Sequence, residues 1–229
     1  MPNKSGLGMV NTLINLTRHK MFNFMVSILL LLILSSVLEG SKYGYLVLNS
    51  LSTAVFLLGV HAVGTTKRNL ILLVLLGLPW FLAEWIYIDS PRTIFTSVLF
   101  FLFVTGIIFN HILHTKDVTA DTLFGAVCVY LLLGLLWASI YGLLEHLDPG
   151  TIYFTNNAEP LKEATSNELI YYSYLTLASL GYGDITFLSP EGRIISVLEA
   201  VTGQLFIAFL VARLVSIYTT KSIMESRKL

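Results

Sequence analysis

Ser179-Leu180-Gly181-Tyr182-Gly183-Asp184 is a short, polar, glycine-rich stretch set between two long apolar segments. An extended backbone presents a carbonyl about every 3.3 Å. To aim successive carbonyls at one axis, the chain must alternate between conformations with φ of opposite sign. Gly181 and Gly183 reach φ > 0 at little cost, which other residues do not. Four such stretches around an axis would stack rings of oxygens able to replace the water around a cation. Tyr182 then points away from the axis and braces the stretch, while the Ser179 hydroxyl closes its inner end.

The flanks fit that reading. Thr165-Ser166-Asn167-Glu168 has Thr followed three residues later by Glu, the capping-box pattern that starts a helix. The run from Ser166 to Ala178 makes about 20 Å of helix, too short for a bilayer core of about 30 Å. A re-entrant half-helix suits it, because irregular backbone at membrane depth is tolerated where it lines water or is buried in protein. The C-terminal end of that half-helix aims partial negative charge at the membrane centre, which favours a cation there.

The whole stretch Tyr171-Tyr172-Ser173-Tyr174-Leu175-Thr176-Leu177-Ala178-Ser179-Leu180-Gly181-Tyr182-Gly183-Asp184 resembles the pore-helix-plus-filter signature of the potassium-channel superfamily. The resemblance extends over about residues 121–229; residues 1–120 show none. It implies K+ ions bound in a selectivity filter at Ser179, Leu180, Gly181 and Tyr182, with Gly183 completing it and no organic cofactor. It also implies filter support from Asp184, Thr176, Tyr171 and Tyr172. Ser179 stands where Thr is usual and Leu180 where Val is usual. Leu175 fills a position that carries a buried acid in some relatives, so acid-linked inactivation is not implied. The chain has one such stretch and no internal repeat. A ring of four therefore needs three further copies, a homotetramer closed by heterologous contacts.

Composition sets the medium. Of 229 residues, 55% are apolar and 12% charged, and the mean hydropathy of +0.76 marks an integral membrane protein rather than a soluble domain. A net charge of zero gives no footprint for nucleic acid. Cys128, the single cysteine, lies inside an apolar run. The basic N-terminus precedes a long apolar run without an A-x-A site, so an uncleaved span is expected rather than a signal peptide. The expected fold is all-α, with six transmembrane helices and a re-entrant pore helix and filter between the fifth and sixth. The spans run roughly over Met21–Leu38, Tyr45–Val63, Leu70–Ile88 with Pro79 inside, Thr93–Ile112, Asp121–Leu144, and Pro190 to about Tyr218. Pro190 suits a first helical position, and Pro79 frees a backbone carbonyl and kinks its helix. Residues 1–20 carry Leu7, Val10, Leu13, Ile14 and Leu16 at helical spacings, a candidate interfacial helix. Residues 21–115 form a four-helix unit, 121–220 a pore unit and 221–229 a short tail, with no room after Tyr218 for a regulatory domain.

The positive charges orient the chain. With the N-terminus inside, ten of the 14 Lys and Arg residues fall on that side: Lys4, Arg18, Lys20, Lys67, Arg68, Lys116, Arg213, Lys221, Arg227 and Lys228. Lys42, Arg92, Lys162 and Arg193 fall outside. Both termini are thus expected in the cytoplasm of a cell-membrane protein surrounded by lipid, with the filter mouth facing out. Voltage sensing needs charges within the fourth span, since one charge moving through 100 mV yields only about 2.3 kcal/mol. Thr93–Ile112 has no Lys or Arg, so an arginine sensor is excluded.

Several residues have more than one reading. Gly203 is a hinge or a close-packing glycine in the last span. Gln204, Ile207, Val211 and Val215 fall on one helical stripe that would line the cavity and gate it by dewetting. Glu199, an intramembrane acid, requires a partner or a function. Arg213 lies about 21 Å along the same helix, so the candidates are a hydrogen bond to Ser173 or Thr176 of the half-helix, or a cavity-facing role attracting cations. Glu145, Asp148, Glu159, Glu163 and Glu168 against Lys162 make the preceding loop acidic, an outer vestibule or an ordinary solvated loop. His111 and His114 are two potential ligands but not a metal site, and Glu84 beside Trp85 reads as an interface anchor. No nucleophile, base and orienter converge, so catalysis is not expected. The sequence points to a potassium-selective channel. A weakly selective cation channel and a non-conducting, modulatory subunit remain as alternatives.

Overall fold

The computed structural model describes residues 20–38, 41, 44–63, 67–86, 91–115, 119–155 and 164–226. The candidate interfacial helix within residues 1–20, and Glu159, Lys162 and Glu163, lie essentially outside them. The elements in order are α1 (Lys20–Val37), α2 (Gly44–Val63), α3 (Lys67–Ile86), α4 (Pro91–His114), α5 (Ala120–Leu147), β1 (Ile152–Phe154), α6 (Ser166–Leu177), β2 (Ile185–Phe187) and α7 (Pro190–Ser226). Among the described residues, four helical segments are long and apolar enough to cross a membrane: Lys20–Val37, Ile94–His114, Ala120–Leu147 and Pro190–Arg213. α2 and α3 contribute shorter apolar stretches among the described residues, Ser50–His61 and Ile71–Leu82. Pro79 lies inside α3, which continues through it to Ile86.

α5 is the central post: α1, α4, the half-helix α6 and α7 all pack on it. The larger core joins Phe24 and Ile28 of α1, Val55 and Phe56 of α2, Trp80 of α3, Val104 and Ile108 of α4, and Val129 and Leu132 of α5. Trp80 stacks on Phe100 with ring centroids 4.6 Å apart and planes 7° from parallel, a pair that contributes about 0.5–1.5 kcal/mol beyond its buried area. Asp121, in the first turn of α5, accepts from the Met21 backbone N–H at 3.1 Å. A carboxylate at the start of α1 is well placed against that helix's positive end. Arg213 of α7 donates to the Thr115 carbonyl at 2.7 Å, closing the C-terminal end of α4 with a cation.

Among the described residues the regular structure is helical except for one antiparallel ribbon, which the all-α expectation omits. β1 pairs with β2 in the register Ile152–Phe187, Tyr153–Thr186 and Phe154–Ile185. Ile152, Ile185 and Phe187 face inward onto Tyr141 and Leu169 in a second, smaller core. Glu145 belongs to this corner. It is buried, and its carboxylate accepts from the Gly150 N–H at 2.9 Å and the Thr151 hydroxyl at 3.0 Å. Its place in a solvated acidic vestibule is therefore corrected: it ties the end of α5 to the turn that launches β1. Removing it strands the buried Thr151 hydroxyl, at about 1–3 kcal/mol, and the half-buried Gly150 N–H. Glu145→Ala is expected to lower the melting temperature of the detergent-solubilised protein by several degrees, while Asp148→Ala at the exposed turn leaves it within experimental error.

Candidate functional site

The half-helix α6 starts as its sequence dictates. Thr165 accepts from the Glu168 N–H at 3.3 Å, and the Glu168 carboxylate accepts from the Thr165 N–H at 2.7 Å, a complete capping box. Asn167 then donates to the Ser35 carbonyl of α1 at 3.0 Å, so α1 touches the start of this element. The helix ends in a Schellman motif. The Leu180 N–H donates to the Leu175 carbonyl at 2.8 Å, and the Ser179 N–H to the Thr176 carbonyl at 2.9 Å. That motif places its left-handed residue at Ser179, with φ 57°.

Ser179 begins an alternation. Positive φ recurs at Gly181 (55°) and Gly183 (75°), whereas Leu180 and Tyr182 between them are not positive. Gly181 and Gly183 take the conformations that their lack of Cβ permits; Ser179 takes one that costs an L-residue about 1–2 kcal/mol. That third position was absent from the sequence expectation. Its signal was the need to end a helix at Leu177 with no glycine until Gly181. Leu180 and Tyr182 are 55% and 68% exposed, so the Tyr182 ring is not braced by packing within the chain.

Both ends of the stretch are held. At the Ser179 end, Gln204 of α7 donates from Nε2 to the Ser179 hydroxyl oxygen at 3.0 Å. At the Asp184 end, Tyr171 donates to Asp184 Oδ2 at 2.8 Å, and Oδ1 accepts from the Ile185 N–H at 3.1 Å. That bond raises the Tyr171 phenol above its ordinary range, because ionising it would place a second anion beside the carboxylate. Thr155, just past β1, donates its hydroxyl to the Gly183 carbonyl at 2.9 Å and its N–H to the Asp184 carbonyl at the same distance. Thr155 is a support residue that sequence reasoning missed. The Ile152-Tyr153-Phe154 run after Asp148-Pro149-Gly150 was the available hint of a strand after a turn.

A stripe of α7 seats the half-helix. Ser196, Glu199 and Gly203 stand at i, i+3 and i+7 and so share one face. Ser196 meets the Tyr172 hydroxyl at 2.7 Å, Glu199 meets Ser173, and Gly203 is buried against the last turn of α6, where a Cβ would overlap the Leu177 carbonyl. Close packing thus accounts for glycine at position 203. Tyr172, Tyr141 and Phe187 complete the contact as a ring cluster, with centroids 5.0–5.4 Å apart. Among the hydrogen bonds of the described residues, Thr176 contributes its carbonyl rather than its hydroxyl. Glu199 bonds Ser173, one of its two expected partners. Gln204, Ile207, Val211 and Val215 are all exposed in the single chain, on a helix whose Phe206 and Leu210 pack toward the core. His114 bonds the Asn110 carbonyl of its own helix, and no group of three or more metal-ligating side chains exists among the described residues.

The model of an ion channel family matches residues 141–220, from the last two turns of α5 through the half-helix, the glycine-rich stretch and most of α7. No curated protein matches the chain. Residues 141–220 are thus similar to an ion channel domain.

Proposed function

We propose that the protein is a potassium-selective channel that passes ions down their gradient through a four-fold filter of backbone carbonyls. One observation carries this reading: the alternation of positive φ at Ser179, Gly181 and Gly183, begun at the C-terminal end of a half-helix. Alternating φ turns consecutive carbonyls toward one side, and the half-helix end adds partial negative charge beneath them. Potassium is the cargo; its oxygens would come from Ser179, Leu180, Gly181 and Tyr182. The exposed Tyr182 ring and the exposed apolar face of α7, with Ile194, Val197, Val201 and Leu205, support assembly with three further copies. Six spans, cytoplasmic termini and an outward filter mouth complete the proposal, supported by the distribution of Lys and Arg. The stretch Thr93–Ile112 has no Lys or Arg to move with voltage, so opening is not driven by an arginine sensor.

The experiment is the reversal potential of purified protein in planar bilayers under a potassium/sodium gradient. A value near the potassium equilibrium potential is expected. Current reversing near zero would replace the proposal with a weakly selective cation channel. Absence of current at every voltage, with intact tetramers, would favour a modulatory subunit.

A further inference from the structure

Glu199 is 0% exposed in a single chain, so assembly cannot bring it into a cavity, and a role in attracting cations there falls away. Its two oxygens each have one partner. Tyr141 of α5 donates to Oε2 at 2.6 Å, and Oε1 lies 2.5 Å from the Ser173 hydroxyl oxygen of the half-helix. Ser173 also lies 2.7 Å from the Gly134 carbonyl of α5. The number of available hydrogens is decisive. A serine hydroxyl has one hydrogen, and a carbonyl has none. If Ser173 donates to Gly134, the contact with Oε1 needs its hydrogen from the acid. If Glu199 were ionised, one of two short oxygen–oxygen contacts would hold no hydrogen at all. The titratable groups facing Glu199 are phenols, Tyr141 and Tyr130 of α5 and Tyr174 of α6. No Lys, Arg or His among the described residues offers a counter-charge.

We propose that Glu199 is a neutral carboxylic acid, and that in this form it is the positioning residue that locks the half-helix between α5 and α7. The bonds then run in one direction: the Tyr141 hydroxyl to Oε2, the acid hydrogen on Oε1 to Ser173, and the Ser173 hydrogen to Gly134. Each donor is used once. The lock sits six residues before Ser179, so its consequence for the filter rests on the channel reading, whereas the protonation state does not.

The test is an infrared difference spectrum of the full-length protein in lipid near neutral pH, wild type minus Glu199→Gln. A protonated-carboxyl band present in the wild type and missing from the variant is expected, and this requires no ion flux. Tyr141→Phe removes the donor to Oε2 and is expected to shift the same band; it decides the matter if the glutamine variant does not assemble. In bilayers, Glu199→Gln is expected to keep selective current within about threefold of wild type, because its amide both donates to Ser173 and accepts from Tyr141. Glu199→Ala removes both hydrogen bonds and is expected to reduce the current tenfold or more, about one pair of unsatisfied buried groups. A wild-type spectrum without the band, or a glutamine variant that assembles but loses current as the alanine variant does, would overturn the proposal. Should even the wild type carry no current, the channel reading fails and the band still decides the state of Glu199.

Discussion

Gly181→Ala is expected to abolish potassium-selective current, while Gly150→Ala leaves the reversal potential unchanged. Both glycines have positive φ, 55° at Gly181 and 83° at Gly150. An alanine costs about 1–2 kcal/mol in that region. Nothing lies within 4 Å of the position a Cβ would take at Gly181, so the penalty within one chain is conformational rather than a collision. The chain relieves it by returning to negative φ, and the peptide plane then rotates its carbonyl away from the side its neighbours face. At Gly150 the same relaxation loosens a turn beyond α5 and lowers stability alone. In a four-fold ring the cost at Gly181 recurs four times, about 4–8 kcal/mol in all. The measurement is the reversal potential of each variant in the potassium/sodium gradient, with assembly verified by size. A Gly181→Ala tetramer that still reverses at the potassium potential would sink the carbonyl-ring reading.

What could be read in advance was what neighbouring residues decide among themselves. Apolar runs broken by Lys67-Arg68, by Pro91-Arg92 and by Ser189-Pro190 place helix limits within a few residues of α1 to α6 and of the start of α7, whose end at Ser226 lies well past the expected Tyr218. The capping box at Thr165 and Glu168 is a bond between residues three apart, and the structure contains it in both directions. What could not be read is settled by partners distant in sequence. β1 and β2 are short, and they pair across the whole of the half-helix and the glycine-rich stretch; neither is long enough for alternation to show. Glu145 resembles any loop acid until the turn at Gly150 and Thr151 folds back over it. Asp121 likewise gains meaning only when α1 arrives with its Met21 N–H. Ser179 lies between the two cases: its left-handed conformation follows from a local helix ending, yet serine is a residue that seldom announces one.

Gly203 separates two explanations by the sign of a single stability change. In an otherwise unbroken helix from Pro190 to Ser226, a glycine kept only for bending would be a weak point. Alanine there would stabilise the helix by about 1 kcal/mol, and the variant would melt higher while opening less. Packing predicts the reverse. A Cβ at Gly203 overlaps the carbonyl oxygen and carbon of Leu177, and both are backbone atoms that no rotamer change can move. α7 must then withdraw from the half-helix, at about 1–3 kcal/mol per subunit for overpacking. Withdrawal also stretches the hydrogen bonds on either side, Glu199 with Ser173 four residues before and Gln204 with Ser179 one residue after. We therefore expect Gly203→Ala to lower the thermal stability of the purified assembly, and its surviving current to be less potassium-selective as Ser179 loses its donor. A variant that melts higher than wild type, with selectivity intact and opening reduced, would restore the hinge. The two readings differ in direction as well as size, so a thermal melt decides between them without knowledge of what opens the pore.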